Sequence, residues 1–267
     1  MVSLTTHRSV TMNNKQKLEY FNAVYRIGKK LAEDATSPEV VLAERAANKT
    51  MADQMKAAIP QWIPDGGTAE PGANRITLED LQQCLERAGW DSYYAAREVF
   101  KLPQIQLAVT NWGGYARAYV DTVHDKIQDV VLPNLDVYLP PNEEVRASVK
   151  SEILQLLEAL KAKTHPIVAQ FVAYHRRPYT LWTEDLELLA TQFEATYASV
   201  LADAQERQAF RLMAEVHAYL HLMHSRAYDN IVRAVWYELW LWDGFEKQIQ
   251  PRLVDNMEEI LRSILAD

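Results

Sequence analysis

The stretch from Phe210 to Trp242 reads FRLMAEVHAYLHLMHSRAYDNIVRAVWYELWLW and holds neither Gly nor Pro. Met213, Val216, His217, Leu220, His224, Ala227, Ile231, Ala234 and Val235 recur at three- and four-residue steps, which places them on one stripe of an α-helix. The other side is mixed. Glu215, Arg226, Asp229 and Arg233 share it with Tyr219, Leu222, Trp236, Tyr237 and Trp240. A helix apolar almost all round is either sandwiched in a bundle or offered to a partner. We take it as the helix on which the others pack.

Working outward, Lys15–Glu33 carries Leu18, Phe21, Val24, Tyr25 and Leu31 at helical spacing. Ser37-Pro38 signals a second helix to about residue 58, with Ser as N-cap and Pro at the first helical position. Its face holds Val41, Ala46, Met51 and Met55. The run PQWIPDGGTAEPGAN (60–74) is a linker by composition. Thr77 and Asp80 form a capping box with Asp in place of Glu, followed by Leu78, Leu81 and Leu85. Gly89 ends that helix, Asp91 caps another to Phe100, and Pro103 separates it from a long stripe: Ile105, Val109, Trp112, Ala116, Tyr119, Val120, Val123, Ile127 and Val130. Gly113-Gly114, inside the stripe, implies a kink or a close helix approach, and Pro133 ends the pattern. After Pro140-Pro141, Asn142 caps a helix (Val145, Val149, Ile153, Leu156, Leu160, Ile167, Phe171) that Pro166 bends or divides. Thr183 opens the next, with Leu186, Leu189, Phe193, Tyr197 and Val200 inward. A break at 203–206 is left open. Leu253–Leu265 follows Pro251 as a last helix. No stretch has strand alternation backed by turn chemistry. The expected fold is all-α, an elongated antiparallel bundle of long helices. It is organised as a disordered 1–14, a helical pair 15–59, a Pro/Gly linker 60–76 and a bundle 77–267.

The 267 residues carry a net charge of −8, which disfavours nucleic acid as a partner, because phosphate contacts need clustered Lys and Arg. Cys84 is the only cysteine, so no disulfide can form within the chain, and it reads as a small core residue. No apolar run reaches the roughly 20 residues that span a bilayer. The N-terminus lacks the apolar core of a secretory signal, although its hydroxyl-rich, acid-poor start faintly resembles a transit peptide. A cytoplasmic protein is the expectation. Phosphate-loop and dinucleotide fingerprints are absent, and Gly28-Lys29-Lys30 lacks their second glycine and hydroxyl. No catalytic residue and no cofactor is implied.

Four clusters remain as candidates. His217, His221 and His224 stand at i, i+4 and i+7, within about 60° of one helix face, which suits a metal; the competing reading is core histidines bonded to neighbouring helices. No Glu-x-x-His pair supplies the carboxylates that di-metal bundles use. Asn230 and Glu238 have the spacing of the outer magnesium ligands of all-α terpene cyclases. However, Ala234 replaces the central hydroxyl and no DDxxD occurs. His175, Arg176 and Arg177 form a basic cluster suited to a helix C-terminus, or to an acidic partner surface or lipid headgroups. Tyr219, Leu222, Trp236, Tyr237 and Trp240 form an aromatic face that is either doubly buried or an interface.

From residue 105 onward, the order of features resembles the stalk and effector region of dynamin-like GTPases, especially the fungal ones. Trp112 and Ala116 open a long helix as in the family's W…A pattern. Arg176-Arg177-Pro178-Tyr179-Thr180 is similar to its basic-Pro-Thr-Tyr-Asn turn, with Leu181-Trp182 in place of Tyr-Asn. Tyr219, Ala227, Tyr228, Asp229, Asn230 and Ile231 resemble the effector helix. Gln250-Pro251-Arg252-Leu253-Val254 with Met257-Glu258-Glu259-Ile260 resembles the C-terminal tail. The GTPase domain has no counterpart, so the resemblance implies a stalk without a motor. Such a chain would be non-enzymatic and would form homodimers or larger homo-oligomers, or join a dynamin-like GTPase partner. Peripheral membrane association is the further implication. The runner-up is a metal or small-molecule binder that uses the three histidines inside the bundle.

Overall fold

A computed structural model describes residues 14–62, 75–88, 93–139, 143–176, 184–199, 201, 204–241 and 243–256. The expected disorder of 1–13, the Gly89 stop, the Asp91 and Asn142 caps and the helix segment past Asn256 lie outside these residues. The described chain is predominantly helical, and none of its helices is long and apolar enough to cross a membrane.

Helix α1 spans Asn14–Ala35 and α2 spans Pro38–Ala57. Ser37 is the N-cap by position: its carbonyl accepts the Val41 N–H at 3.0 Å. Its hydroxyl is buried without a partner, so the side-chain cap that Ser predicts is not made. The inward stripe of α1 is Val24, Gly28, Leu31 and Ala35, while Leu18, Phe21 and Tyr25 are exposed. The buried stripe of α2 is Val40, Glu44, Met51 and Met55; of the expected face Met51 and Met55 are buried, Val41 is half-buried and Ala46 is exposed.

The Pro/Gly stretch holds the one departure from all-helical structure among the described residues. Gln61–Trp62 (β1) pairs in parallel with Arg75–Ile76 (β2). Two residues per strand are too few to show alternation, so periodicity cannot reveal them. The capping box then forms in full. Thr77 N and Oγ1 donate to Asp80 Oδ2 at 2.9 and 2.8 Å, and Asp80 N donates to Thr77 Oγ1 at 3.1 Å. It opens α3, Leu78–Ala88, with Leu78, Leu81 and Leu85 buried.

Helix α4 runs unbroken from Tyr93 to Tyr138, through Pro103, Gly113-Gly114 and Pro133. Helix α5, Glu143–Tyr174, likewise continues through Pro166. These are corrections to the breaks expected at Pro103 and Pro133, and at Pro166, where bending or division was expected, division does not occur. All three prolines face outward, as does Pro251 in α8, Phe245–Asp255. On that face the carbonyl freed by the missing N–H meets water, and the buried stripe on the other side continues. Past Pro166 the buried residues are Val168 and Val172, one position later than the expected Ile167 and Phe171. The glycine pair is not a crossing point either. A Cβ at Gly114 would meet nothing within 4 Å, and one at Gly113 would make an ordinary 3.7 Å contact to Val172.

Helix α6 is Glu184–Tyr197 and α7 is Ala204–Ala234, so the chain does break between them. The stretch that decides the fold is helical, but its last turns change type. Val235–Trp240 is a π-helical segment, closed by Leu241 N–H donating to the Trp236 carbonyl at 2.7 Å.

The chain divides into two units: 1–47, 120–166 and 233–267 in the first, 48–119 and 167–232 in the second. The Pro/Gly stretch, expected as the main boundary, lies within the second. In the first unit α1 packs along α8, with Leu31 and Ala35 buried on one helix and Phe245, Ile249 and Leu253 on the other. Gly28 permits this packing, since a Cβ there would lie 2.8 Å from Gln250 Cα, whereas Gly244 serves the local turn into α8, where a Cβ would lie 2.3 Å from the backbone of Leu239 and Trp240. The second unit buries Met55, Trp112, Phe210, Met213 and Leu220 in its core.

Candidate functional site

The last four carbonyls of a helix have no partner within it. In α1 each of them is satisfied. Ala32 accepts from Thr36 Oγ1 at 3.2 Å, Glu33 from Thr36 N at 3.2 Å and Asp34 from Ser37 N at 3.0 Å. Ala35 accepts from the indole N–H of Trp240 at 2.6 Å. The end of α2 uses the same device. Gln54 and Lys56 accept turn N–H groups, and Met55 accepts the indole N–H of Trp112 at 2.7 Å. Just past α5, the Tyr219 hydroxyl donates to the His175 carbonyl at 3.1 Å. Burial pushes the Tyr219 phenol up to about 12, so it stays a donor. Large aromatics with one polar tip suit this role, because the ring is buried while the tip finds an acceptor.

This divides the expected aromatic face. Tyr219 and Trp240 are core, with their polar tips used on helix ends, and Leu222 is half-buried. Trp236 and Tyr237 remain 38% and 44% exposed. The split at the C-terminal end falls within the π-helical segment, whose turns, closed by an i to i+5 bond, hold about one residue more than an α-turn. Trp240 turns inward, edge-on to Trp236 at 5.8 Å. Trp236 stays outside, its indole N–H donating to the buried Glu44 carboxylate at 3.1 Å. Glu238 of the same segment pairs with Lys163 at 2.5 Å.

In the second unit the three histidines point to different partners. His217 stacks on Phe193, with centroids 3.9 Å apart and rings 22° from parallel. His221 tilts against His217 at 4.1 Å. His224 lies with Nε2 3.3 Å from the Ala52 carbonyl and packs edge-on to Trp112. Among the described residues no group of three or more His, Cys, Asp or Glu side chains is arranged to hold a metal. The expected alternative ligand set is therefore not assembled, because ring stacking and the Ala52 carbonyl direct the imidazoles elsewhere. Burial, with His221 beside it, pushes the His217 imidazole down to about 4. Burial also lowers His221, aided by His224 and Lys56. It lowers His224 too, partly countered by the Ala52 bond. All three are neutral at pH 7.

His217 and His221 line a cleft of about 470 Å³ with Trp62, Phe193 and Tyr197. Phe210, fully buried, lies behind the rings, 4.5 Å from Trp62 and 5.4 Å from Phe193. Beside the cleft, Arg211 joins α7 to α6: Nη1 donates to Glu194 and Nη2 to Glu187, both at 2.6 Å, while Nε reaches Glu215 in its own helix at 3.4 Å. Periodicity gave no sign of this clamp or of the cleft, because their residues come from separate helices.

In the basic cluster, His175 is half-buried and its imidazole is lowered by burial and by Arg226. Arg176 is exposed, and Arg177 lies outside the described residues. Compared with protein-family models and with curated proteins, the chain matches none.

Proposed function

We propose that the chain is a non-enzymatic helical interaction protein, built as an antiparallel dynamin-stalk-like bundle, that pairs with a second copy of itself. The observation that carries this is the exposure of Trp236 and Tyr237, adjacent on a π-helical segment whose neighbours Val235, Leu239 and Trp240 are buried. Short π-insertions concentrate at functional positions, and exposed Trp and Tyr are the residue types that anchor interfaces. The resemblance from residue 105 onward supports side-by-side pairing of stalks as the mode. On this reading the protein works in the cytoplasm, with Arg176 available to an acidic surface, and a dynamin-like GTPase is the alternative occupant of the aromatic pair. Light scattering after size-exclusion chromatography over a concentration series tests it. The wild type forms a dimer or larger species as concentration rises, and Tyr237→Asp stays monomeric with unchanged helicity. A wild type that is monomeric at every concentration overturns self-pairing.

A further inference from the structure

We propose that the cleft between the C-terminal end of α2 and helices α6 and α7 is a binding site for a small, uncharged, planar heteroaromatic molecule. This inference is independent of the self-pairing reading. The volume, about 470 Å³, lies within the span of small-molecule sites. Its walls are rich in rings, with Trp62, Phe193, Tyr197, His217 and His221 all lining it. Phe193, Tyr197 and both imidazoles are only partly buried by the protein itself, so ring surface is left for a guest. Aromatic surface of this kind favours flat rings by offset or edge contact.

The polar groups select for an uncharged guest. Asp53 and Lys56 each line the cleft and contribute one charge of each sign, so neither an anion nor a cation is favoured overall. The Gln61 amide offers both a donor and an acceptor, as does each neutral imidazole. A ring with donors and acceptors on its edge answers that mixture, whereas a hydrocarbon would leave it unanswered.

The test titrates the full chain into 2-aminopurine, an uncharged fluorescent heteroaromatic whose emission falls when it stacks on rings. Saturable quenching with a midpoint of about 1 mM, as befits a ligand of this size, is expected. His221→Leu keeps volume but removes the donor and acceptor, and should weaken binding about tenfold. Phe193→Ala should do the same if it keeps wild-type helicity. Tyr237→Asp, which removes the proposed self-pairing, should leave quenching unchanged. Quenching that never saturates, or that is identical in wild type and His221→Leu, overturns the proposal.

Discussion

Trp240 and Ala35 stand 205 positions apart in the chain, yet the indole N–H of one closes the last open carbonyl of the helix that ends at the other. Trp240→Phe keeps an aromatic side chain but removes the donor together with part of the buried indole. It should leave the Ala35 carbonyl buried without a partner and cost about 1–3 kcal/mol. Urea unfolding followed by circular dichroism measures this, with native helicity unchanged before the transition. Trp112→Phe should behave alike through Met55. A loss near zero in both would mean that water reaches these carbonyls.

The glycines make opposite predictions. Gly244→Ala drives a methyl into the backbone of Leu239 and Trp240, so the tight turn into α8 must open. We expect severe destabilisation, visible as a large fall in Tm or as insoluble protein. Gly28→Ala, against the Gln250 backbone, should also destabilise. Gly114→Ala meets open space inside a helix and should gain about 0.5–1 kcal/mol. A Gly114→Ala that destabilises as Gly244→Ala does would refute the contact geometry.

Acid should weaken the fold through the second unit. His217 titrates near 4 when folded, against roughly 6.5 in an unfolded chain. Between those values the unfolded state binds a proton that the folded state refuses. Stability therefore rises with pH across this window and is lost as pH falls from about 6.5 towards 4. His175, His221 and His224 act in the same direction. Lys56 opposes protonation of His221 and His224 further. Thermal melts at several pH values should show a shallower acid loss for His217→Gln than for wild type. Superimposed profiles would exclude His217 as a contributor.

Arg211→Ala should loosen α6 selectively. Two of its three carboxylate partners, Glu187 and Glu194, belong to that helix. The expected cost is about 2 kcal/mol, because these are charge-assisted bonds in a partly buried site. Hydrogen exchange should rise across Glu184–Tyr197 and not in α8. Arg211→Lys should recover only part of the protection, since an ammonium cannot offer the planar fork. Equal exchange in wild type and Arg211→Ala would refute the clamp.

Most helices could be read from spacing because burial here follows the helical period. Leu78, Leu81 and Leu85 point inward as expected, and the Thr77–Asp80 box closes as its residue types dictate. Where the reading failed, tertiary position overrode local rules. A proline breaks a helix on average, but one on the solvent face gives its freed carbonyl to water, so Pro103, Pro133 and Pro166 are absorbed. Gly113-Gly114 promised a kink or a close approach, yet the close helix approach is at Gly28, where only the path of the distant Gln250 shows the need, and Gly244 serves a tight local turn against Leu239 and Trp240. The aromatic face was legible as unusual but not as two populations. Nothing in the order Trp236, Tyr237, Trp240 announces the extra residue of a π-turn. The histidines were legible as a cluster, but their orientation depends on Phe193 and on the Ala52 carbonyl, both remote in sequence.

The aromatic closures also set an order of assembly during synthesis. A helix end that is finished by its own next residues can mature as soon as it leaves the ribosome. The end of α2 must wait for Trp112, 57 positions on, and the end of α1 must wait for Trp240, 205 positions on. Helix α1 is thus completed long after it emerges, and the side that packs along α8 stays uncovered until α8 arrives. A ribosome stalled before Trp240 is made would display α1 as an unfinished helix, a natural substrate for chaperones. Release of that binding would report that the C-terminal third has docked.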